Sequence, residues 1–293
     1  VNDARGGRRG PALDGAALPS RDDRRRVRVS EWWLGRIRSR ARPRRRYPRA
    51  VPIFDPIRRR LVTRVVYDGP AFAGKTTNVQ AVCAAFPVQK RSEVYTPGAL
   101  RGRTMFFDWL ELDLGKVGSV PIACQVLSVP GQRARSYRRR PLVQSADALV
   151  FVADARPEAL DENRRCYALM RRYLRERGSD VPLIVQANKL DAEGAMTTAE
   201  LRAALRVPES SPVVGAMATK DRGVRECFNL AVKSAVRLAQ LRVAEQGLRS
   251  ITGTPDTADG LLDAMLTVED HLDGEAPEEI EPTDEELGQL VSA

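Results

Sequence analysis

From about residue 58 to residue 246 the chain alternates between two hydrophobic patterns. Residues 61–67, 148–153 and 182–186 are short, nearly unbroken apolar runs, suited to strands buried on both faces. Residues 105–114 alternate apolar and polar positions, as a half-exposed strand does. A turn over 115–118 then leads to a strand at 121–129, and residues 211–217 read as a sixth strand. Helical spacing fills 75–86, 158–176 and 224–246, with Leu160, Tyr167, Leu169, Met170, Tyr173 and Leu174 as the apolar positions of the second. Thr197 with Glu200 makes a capping box for a short helix. Residues 87–104, with Pro87, Pro97, Gly98 and Gly102, follow neither period and read as a long loop. Strand–helix alternation of this kind predicts an α/β domain with a mostly parallel sheet.

Charge divides the chain further. Residues 1–50 hold 16 Arg against 5 acids, and residues 254–293 hold 13 acids with no Lys or Arg. The overall charge of +10 therefore conceals a moderately basic body between two oppositely charged tails. The reading divides the chain into an Arg-rich, largely disordered arm (1–57), a globular domain (58–250) and an acidic tail (251–293). Within the arm, Trp32, Trp33, Leu34 and Ile37 lie among Arg28, Arg36, Arg38 and Arg40. That mixture suits an anionic membrane surface, nucleic-acid phosphates, or plain solvation. In the tail, Leu261, Leu262, Met265 and Leu266 fit one face of a helix, and residues 285–291 fit a second short one. The tail reads either as a solubilising extension or as a segment that docks on a basic surface. Four scattered cysteines and one histidine, His271, give no metal-ligand or disulfide pattern. No apolar run is long enough to span a membrane, so the reading places the protein in the cytoplasm.

Chemistry enters at the end of the first strand. Gly69-Pro70-Ala71-Phe72-Ala73-Gly74-Lys75-Thr76-Thr77 matches the phosphate-cradling loop between a strand and a helix. The glycines permit the turn, backbone amides face the phosphates, Lys75 neutralises them, and Thr76 offers a hydroxyl to Mg²⁺. Asn188-Lys189-Leu190-Asp191 follows a buried strand. A carboxylate at Asp191 can accept two hydrogen bonds from guanine, which adenine cannot supply, so the motif selects GTP/GDP. Lys189 would cover the base, Asn188 would tie this loop to the phosphate loop, and the Ala218 amide could reach the guanine carbonyl. At the end of the third strand, Gly131 would offer its amide to the γ-phosphate and Gln132 would orient a water. Ser128 stands where an Asp usually helps hold the metal. Thr104 is the candidate to complete the Mg²⁺ environment, and Arg103 beside it a candidate arginine finger in cis.

Gly-Pro-x-x-x-Gly-Lys-Thr-Thr-Asn, Arg103-Thr104-Met105-Phe106-Phe107-Asp108, Val129-Pro130-Gly131-Gln132 and Asn-Lys-x-Asp together resemble the MglA group of bacterial Ras-like small GTPases. The likeness covers about residues 60–245. It implies a Ras-like P-loop G domain with six strands in the order 2-3-1-4-5-6, only the second antiparallel, and helices on both faces. It also implies a GTP/GDP switch in cell polarity or gliding motility, with residues 87–104 and 131–142 as switch regions. A roadblock-type protein would stimulate hydrolysis, and motility effectors would bind the GTP state. By resemblance Thr76 and Thr104 hold Mg²⁺, Arg103 and Gln132 serve hydrolysis, and Asn188, Lys189 and Asp191 read guanine. The chain departs from the group at Ala71, usually glycine, beside the bulky Phe72; a Cβ at 71, close to the γ-phosphate, is expected to crowd Gln132 and Arg103 and slow hydrolysis. Two other readings stay open: a hydrolysis-deficient GTP-binding scaffold, and a membrane or nucleic-acid adaptor acting through the arm. Nucleic acid is not expected to be the domain's own partner.

Overall fold

The computed structural model describes residues 52–96, 107–131, 136–178, 180–270 and 281–291. The chain divides into two units, Val1–Arg46 and Tyr47–Ala293, and every described residue belongs to the second. The tryptophans of the arm and His271 lie outside the described residues.

Among the described residues seven strands form one sheet: β1 (Ile53–Asp55), β2 (Arg60–Asp68), β3 (Asp108–Val117), β4 (Val120–Ser128), β5 (Ala148–Asp154), β6 (Leu183–Asn188) and β7 (Val213–Gly215). Their order is β3-β4-β2-β5-β6-β7, with β1 paired antiparallel to β2. β3 runs antiparallel to β4, and the remaining pairs are parallel. The six expected strands therefore stand in the expected order. The described helices are α1 (Lys75–Ala84), α2 (Ser136–Gln144), α3 (Leu160–Arg177), α4 (Thr198–Leu205), α5 (Val224–Gln246), α6 (Ala258–Asp270) and α7 (Asp284–Val291).

Strand alternation sorts the core onto two faces. Val66, Leu149, Phe151, Val185 and Ala187 face α3, where Cys166, Leu169, Met170 and Tyr173 meet them. Val65, Tyr67, Val150, Val152 and Ile184 point the other way, toward Val79 and Val82 of α1 and Phe228, Ala231 and Ala235 of α5. Burial of this kind, at about 25 cal/mol per Å² of apolar surface, is what holds helices on both sides of the sheet.

The structure corrects, adds to or decides the sequence reading at four places. β1 lies inside the stretch assigned to the arm and pairs Ile53 with Val62 and Asp55 with Arg60, so pairing with the domain begins before residue 58. β3 runs on through the expected turn, because Gly115 (φ 82°) is absorbed as an irregularity between Asp113 and Lys116. α2 occupies residues to which the sequence reading assigned no element, its helical period obscured by an arginine run and by Pro141 inside the helix. α6 packs on the domain, with Leu261 and Met265 only 3% and 2% exposed, and so takes the docking reading of the tail. The Thr197–Glu200 capping box is present at the start of α4.

Asp147, at the foot of β5, is buried, and its Oδ2 accepts the Arg64 backbone N–H at 2.7 Å. Burial pushes its carboxyl up to about 7, against the opposing pull of Arg64. A folded carboxyl that holds its proton more tightly than the unfolded one stabilises the fold fully below about pH 4. That contribution fades as pH rises through about 7. Asp147→Asn should therefore flatten a decline of roughly 2–4 kcal/mol between about pH 4 and pH 7 in urea unfolding. An unchanged slope in the variant would show that Asp147 does not carry it.

Candidate nucleotide-binding site

β2 ends at Asp68 and the chain turns through Gly69, whose φ of 141° no Cβ would tolerate: the added carbon would lie 2.2 Å from the Val152 carbonyl oxygen. The loop then enters α1 at Gly74, in the left-handed region at φ 102°. A Cβ there would meet Asn188 Nδ2 at 2.4 Å. Close approach of the two loops thus requires glycine. Lys75 is buried, and its ammonium bends over the loop to donate to the carbonyls of Gly69 (2.8 Å) and Pro70 (2.6 Å). Burial lowers its pKa to about 8, opposed by the Asp68 carboxylate. Thr77 lines the neighbouring cavity described below.

Behind the loop, Asp68 and Arg139 form a buried ion pair, the two side chains being 0% and 1% exposed. Arg139 donates to both carboxylate oxygens at 2.8–3.0 Å and also to Cys166 Sγ at 3.3 Å. Asp68 Oδ1 also accepts the Gly69 N–H at 2.8 Å. Burial alone would lower the Arg139 pKa, but Asp68 outweighs it and keeps the guanidinium firmly charged. The pair joins the root of the phosphate loop to α2 and, through Cys166, to α3. Arg139 is therefore not part of the basic outer surface that the arginine run of α2 suggests.

Gly131 packs directly on the loop, where a Cβ would fall 2.5 Å from Lys75 Nζ and 2.6 Å from the Ala71 nitrogen. Phe72, by contrast, does not crowd this end. Its φ of 62° swings the side chain outward, leaving it 87% exposed at the rim of the adjoining cavity. Ala71, whose nitrogen lies against Gly131, is the departure that remains at this end of the loop.

The metal side is organised by a residue the sequence reading did not single out. Asp108, 1% exposed, accepts hydrogen bonds from Thr76 Oγ1 (2.8 Å), Ser128 Oγ (2.6 Å) and Thr96 Oγ1 (2.9 Å). Asp108 and Ser128 are register partners across β3 and β4. The carboxylate missing at 128 is thus supplied from the neighbouring strand. One buried carboxylate beside hydroxyls is the hard oxygen set that Mg²⁺ takes together with phosphate oxygens. The available signal was an acid that ends the Arg103–Asp108 motif and opens a strand of alternating apolar and polar residues. Arg103, Thr104 and Gln132 lie outside the described residues.

On the base side, Asn188 at the end of β6 donates from Nδ2 to the Ala73 carbonyl at 2.8 Å. Its Oδ1 accepts the Ala218 N–H at 3.0 Å. The Ala218 amide is therefore engaged by Asn188, which differs from its expected approach to a guanine carbonyl. A cavity of about 410 Å³ opens between Phe72, Gly74, Thr77, Asn188, Lys189 and Asp191. Lys189 donates to Asp154 Oδ2 at 2.7 Å, and Arg156 grips the same carboxylate at 2.8 Å. Burial raises the Asp154 pKa, but hydrogen bonds from Arg156 and Lys189 outweigh it and hold the group below the usual carboxylate range. Lys220 lies 2.9 Å from Asp191 and lowers its pKa by hydrogen bonding. Asp154, Arg156 and Lys220 were missed because no short motif contains them all.

The sequence model of the Arf family, described as ADP-ribosylation factor family, matches residues 111–235. The Mutual gliding-motility protein MglA of Myxococcus xanthus (strain DK1622) is 32% identical over 161 residues, which cover 53% of this chain and 83% of that protein. The chain belongs to the MglA-like small GTPases. As a family member it is a GTP-binding protein with a Ras-like α/β domain. The Arf match begins within β3 of this MglA-like GTPase and ends within α5, so the acidic tail lies beyond it.

Two measurements test the MglA-like site. Phosphates beside Lys75 would restore its proton, so guanine-nucleotide affinity should be level below about pH 8 and fall above it, by up to about tenfold per pH unit. Titration calorimetry from pH 7 to 9.5 should also register proton uptake at the upper end; a level profile would remove Lys75 as the cause. Asp108→Asn should raise the Mg²⁺ concentration needed for half-maximal nucleotide retention by about tenfold or more. Unchanged Mg²⁺ dependence would separate Asp108 from the metal.

Proposed function

We propose that the protein is a GTP-dependent switch that binds GTP with Mg²⁺ and hydrolyses it slowly to GDP in the control of bacterial polarity or motility. The observation that carries this reading is the Asn188 amide, which locks the phosphate loop to the Asp191 loop beside a nucleotide-sized cavity. In this reading the loop amides and Lys75 take the phosphates. Thr76 and Asp108, with Thr104, hold the metal, which neutralises phosphate charge when bound. Asp191 and Lys189 read guanine, Gly131 meets the γ-phosphate, and Arg103 and Gln132 serve hydrolysis. Residues 87–104 and 131–142 are the segments that respond to the γ-phosphate.

The motility role follows the printed name of the M. xanthus relative. A roadblock-type activating protein and motility effectors are the partners that the resemblance of the motifs implies. No helix among the described residues is long and apolar enough to cross a membrane. A cytoplasmic protein whose Arg-rich arm touches the inner membrane face fits the charge distribution. The scaffold alternative rests on Ala71 and Ser128, and the second support weakens because Asp108 stands beside Ser128. Ala71 is the remaining support for slow turnover.

Single-turnover GTP hydrolysis and nucleotide competition test the proposal together. Arg103→Ala or Gln132→Leu should lower hydrolysis by roughly 10²-fold or more while GDP affinity stays within a few-fold. ATP should fail to displace labelled GDP at about a thousandfold excess. Effective competition by ATP would overturn the guanine reading, and equal hydrolysis in the variants would favour the scaffold.

A further inference from the structure

The acidic tail is seated on the domain the way a ligand is seated on a receptor. Leu261 and Met265 of α6 enter the apolar cluster that contains Trp109, Leu127 and Leu142. Polar contacts flank them. Asp256 Oδ2 accepts from Arg64 of β2 at 3.2 Å, and the Asp256 carbonyl accepts from Gln125 of β4 at 2.8 Å. Farther along, Glu281 pairs with Arg165 at 2.7 Å. Glu286 accepts from Arg172 at 2.8 Å and Arg175 at 2.9 Å. Hydrogen bonding from Arg172 pulls the Glu286 carboxyl down to about 2, against the effect of burial. Glu286 also closes a capping box with Thr283 at the start of α7.

A tail that only solubilised the protein would leave its acids in water. Here buried apolar anchors sit between carboxylates that each meet an arginine, the layout of an amphipathic helix laid in a groove. The seat adjoins residues 89–93 and Tyr95, which line a cavity of about 500 Å³ together with Trp109 and Ala258. It also adjoins α2 through Leu142. The face is therefore set between two segments that flank the phosphate site, and the tail that covers it is an addition beyond the Arf match.

We propose that this face, formed by β2, β4 and the arginines of α3, is a docking surface for an acidic amphipathic helix of a partner protein, and that the chain's own tail holds it as an intramolecular competitor. The charge of the seat commits the partner to an acidic helix with two apolar anchors. The proposal rests on the geometry of the tail and stands apart from the nucleotide reading.

The test uses the full chain and a labelled synthetic peptide of residues 254–291, followed by fluorescence anisotropy. A docked tail competes at an effective concentration near the millimolar range, so the native chain should bind the peptide weakly. E281R/E286R, which frees the seat, should bind it at least about tenfold more tightly. Binding should fall several-fold between about 50 and 300 mM salt and vanish when Arg172→Glu is added. A scrambled peptide of equal charge should not bind. Equal or absent binding in both proteins, or equal binding of the scrambled peptide, would overturn the proposal. Doubling of the mass of the variant in light scattering would assign the face to a second copy instead. Amide exchange on the native chain gives an independent reading: residues 258–270 should exchange well before global unfolding. Exchange only through global unfolding would make the tail a fixed part of the fold and end the proposal.

Discussion

A single carboxamide fixes the geometry on which the rest of the site depends. Asn188 stands at the end of β6 with its donor on the phosphate loop and its acceptor on the Ala218 amide. Three separate segments therefore share one rigid reference point, and the spacing between phosphate loop and base loop is set by two hydrogen bonds. The contact exists only because residue 74 has no Cβ, since any side chain there would occupy the space of the Asn188 amide. Gln186, two residues earlier on β6, donates to Asn78 of α1 at 2.9 Å and repeats the tie one layer deeper. Preorganisation of this kind lets a nucleotide bind without first ordering the protein around it.

The metal side shows the same chemistry reached by a different residue. A serine at 128 looks like a loss when β4 is read alone. The sheet pairs it with Asp108, so carboxylate and hydroxyl face the same space from neighbouring strands. Buried carboxylates need partners, and Asp108 has three hydroxyl donors to hold it in place. Lys75 answers the same constraint from the cationic side, by bonding to its own loop carbonyls.

What the sequence disclosed follows from which interactions are local. Strand positions were legible because burial on two faces leaves unbroken apolar runs, as in 148–153; their order came only with the resemblance of the motifs to the MglA group. Gly69, Gly74, Lys75 and Asn188 were legible because their spacing along the chain is the geometry itself. Asp108 was not, because its role depends on a pairing with Ser128 that only the sheet creates. Nor were Asp154, Arg156 and Lys220, whose ion pairs join different loops. α2 was hidden because arginine at 138–140 and Pro141 remove the apolar spacing that marks a helix. The tail was ambiguous for a related reason: its Leu261 and Met265 gain a meaning only from the apolar cluster of Trp109, Leu127 and Leu142, and its acids only from the arginines of α3.

The buried Asp68–Arg139 pair has a consequence for how this protein can change over generations. Loss of either partner alone leaves an uncompensated charge in the core, a defect of about 3–5 kcal/mol. Loss of both to apolar residues of similar volume is close to neutral. The two positions, 71 residues apart in the chain, are thus barred from drifting one at a time. A lineage that carries this pair can leave it only by a double step across a valley in fitness. The phosphate loop and the helix behind it must therefore be inherited as one unit.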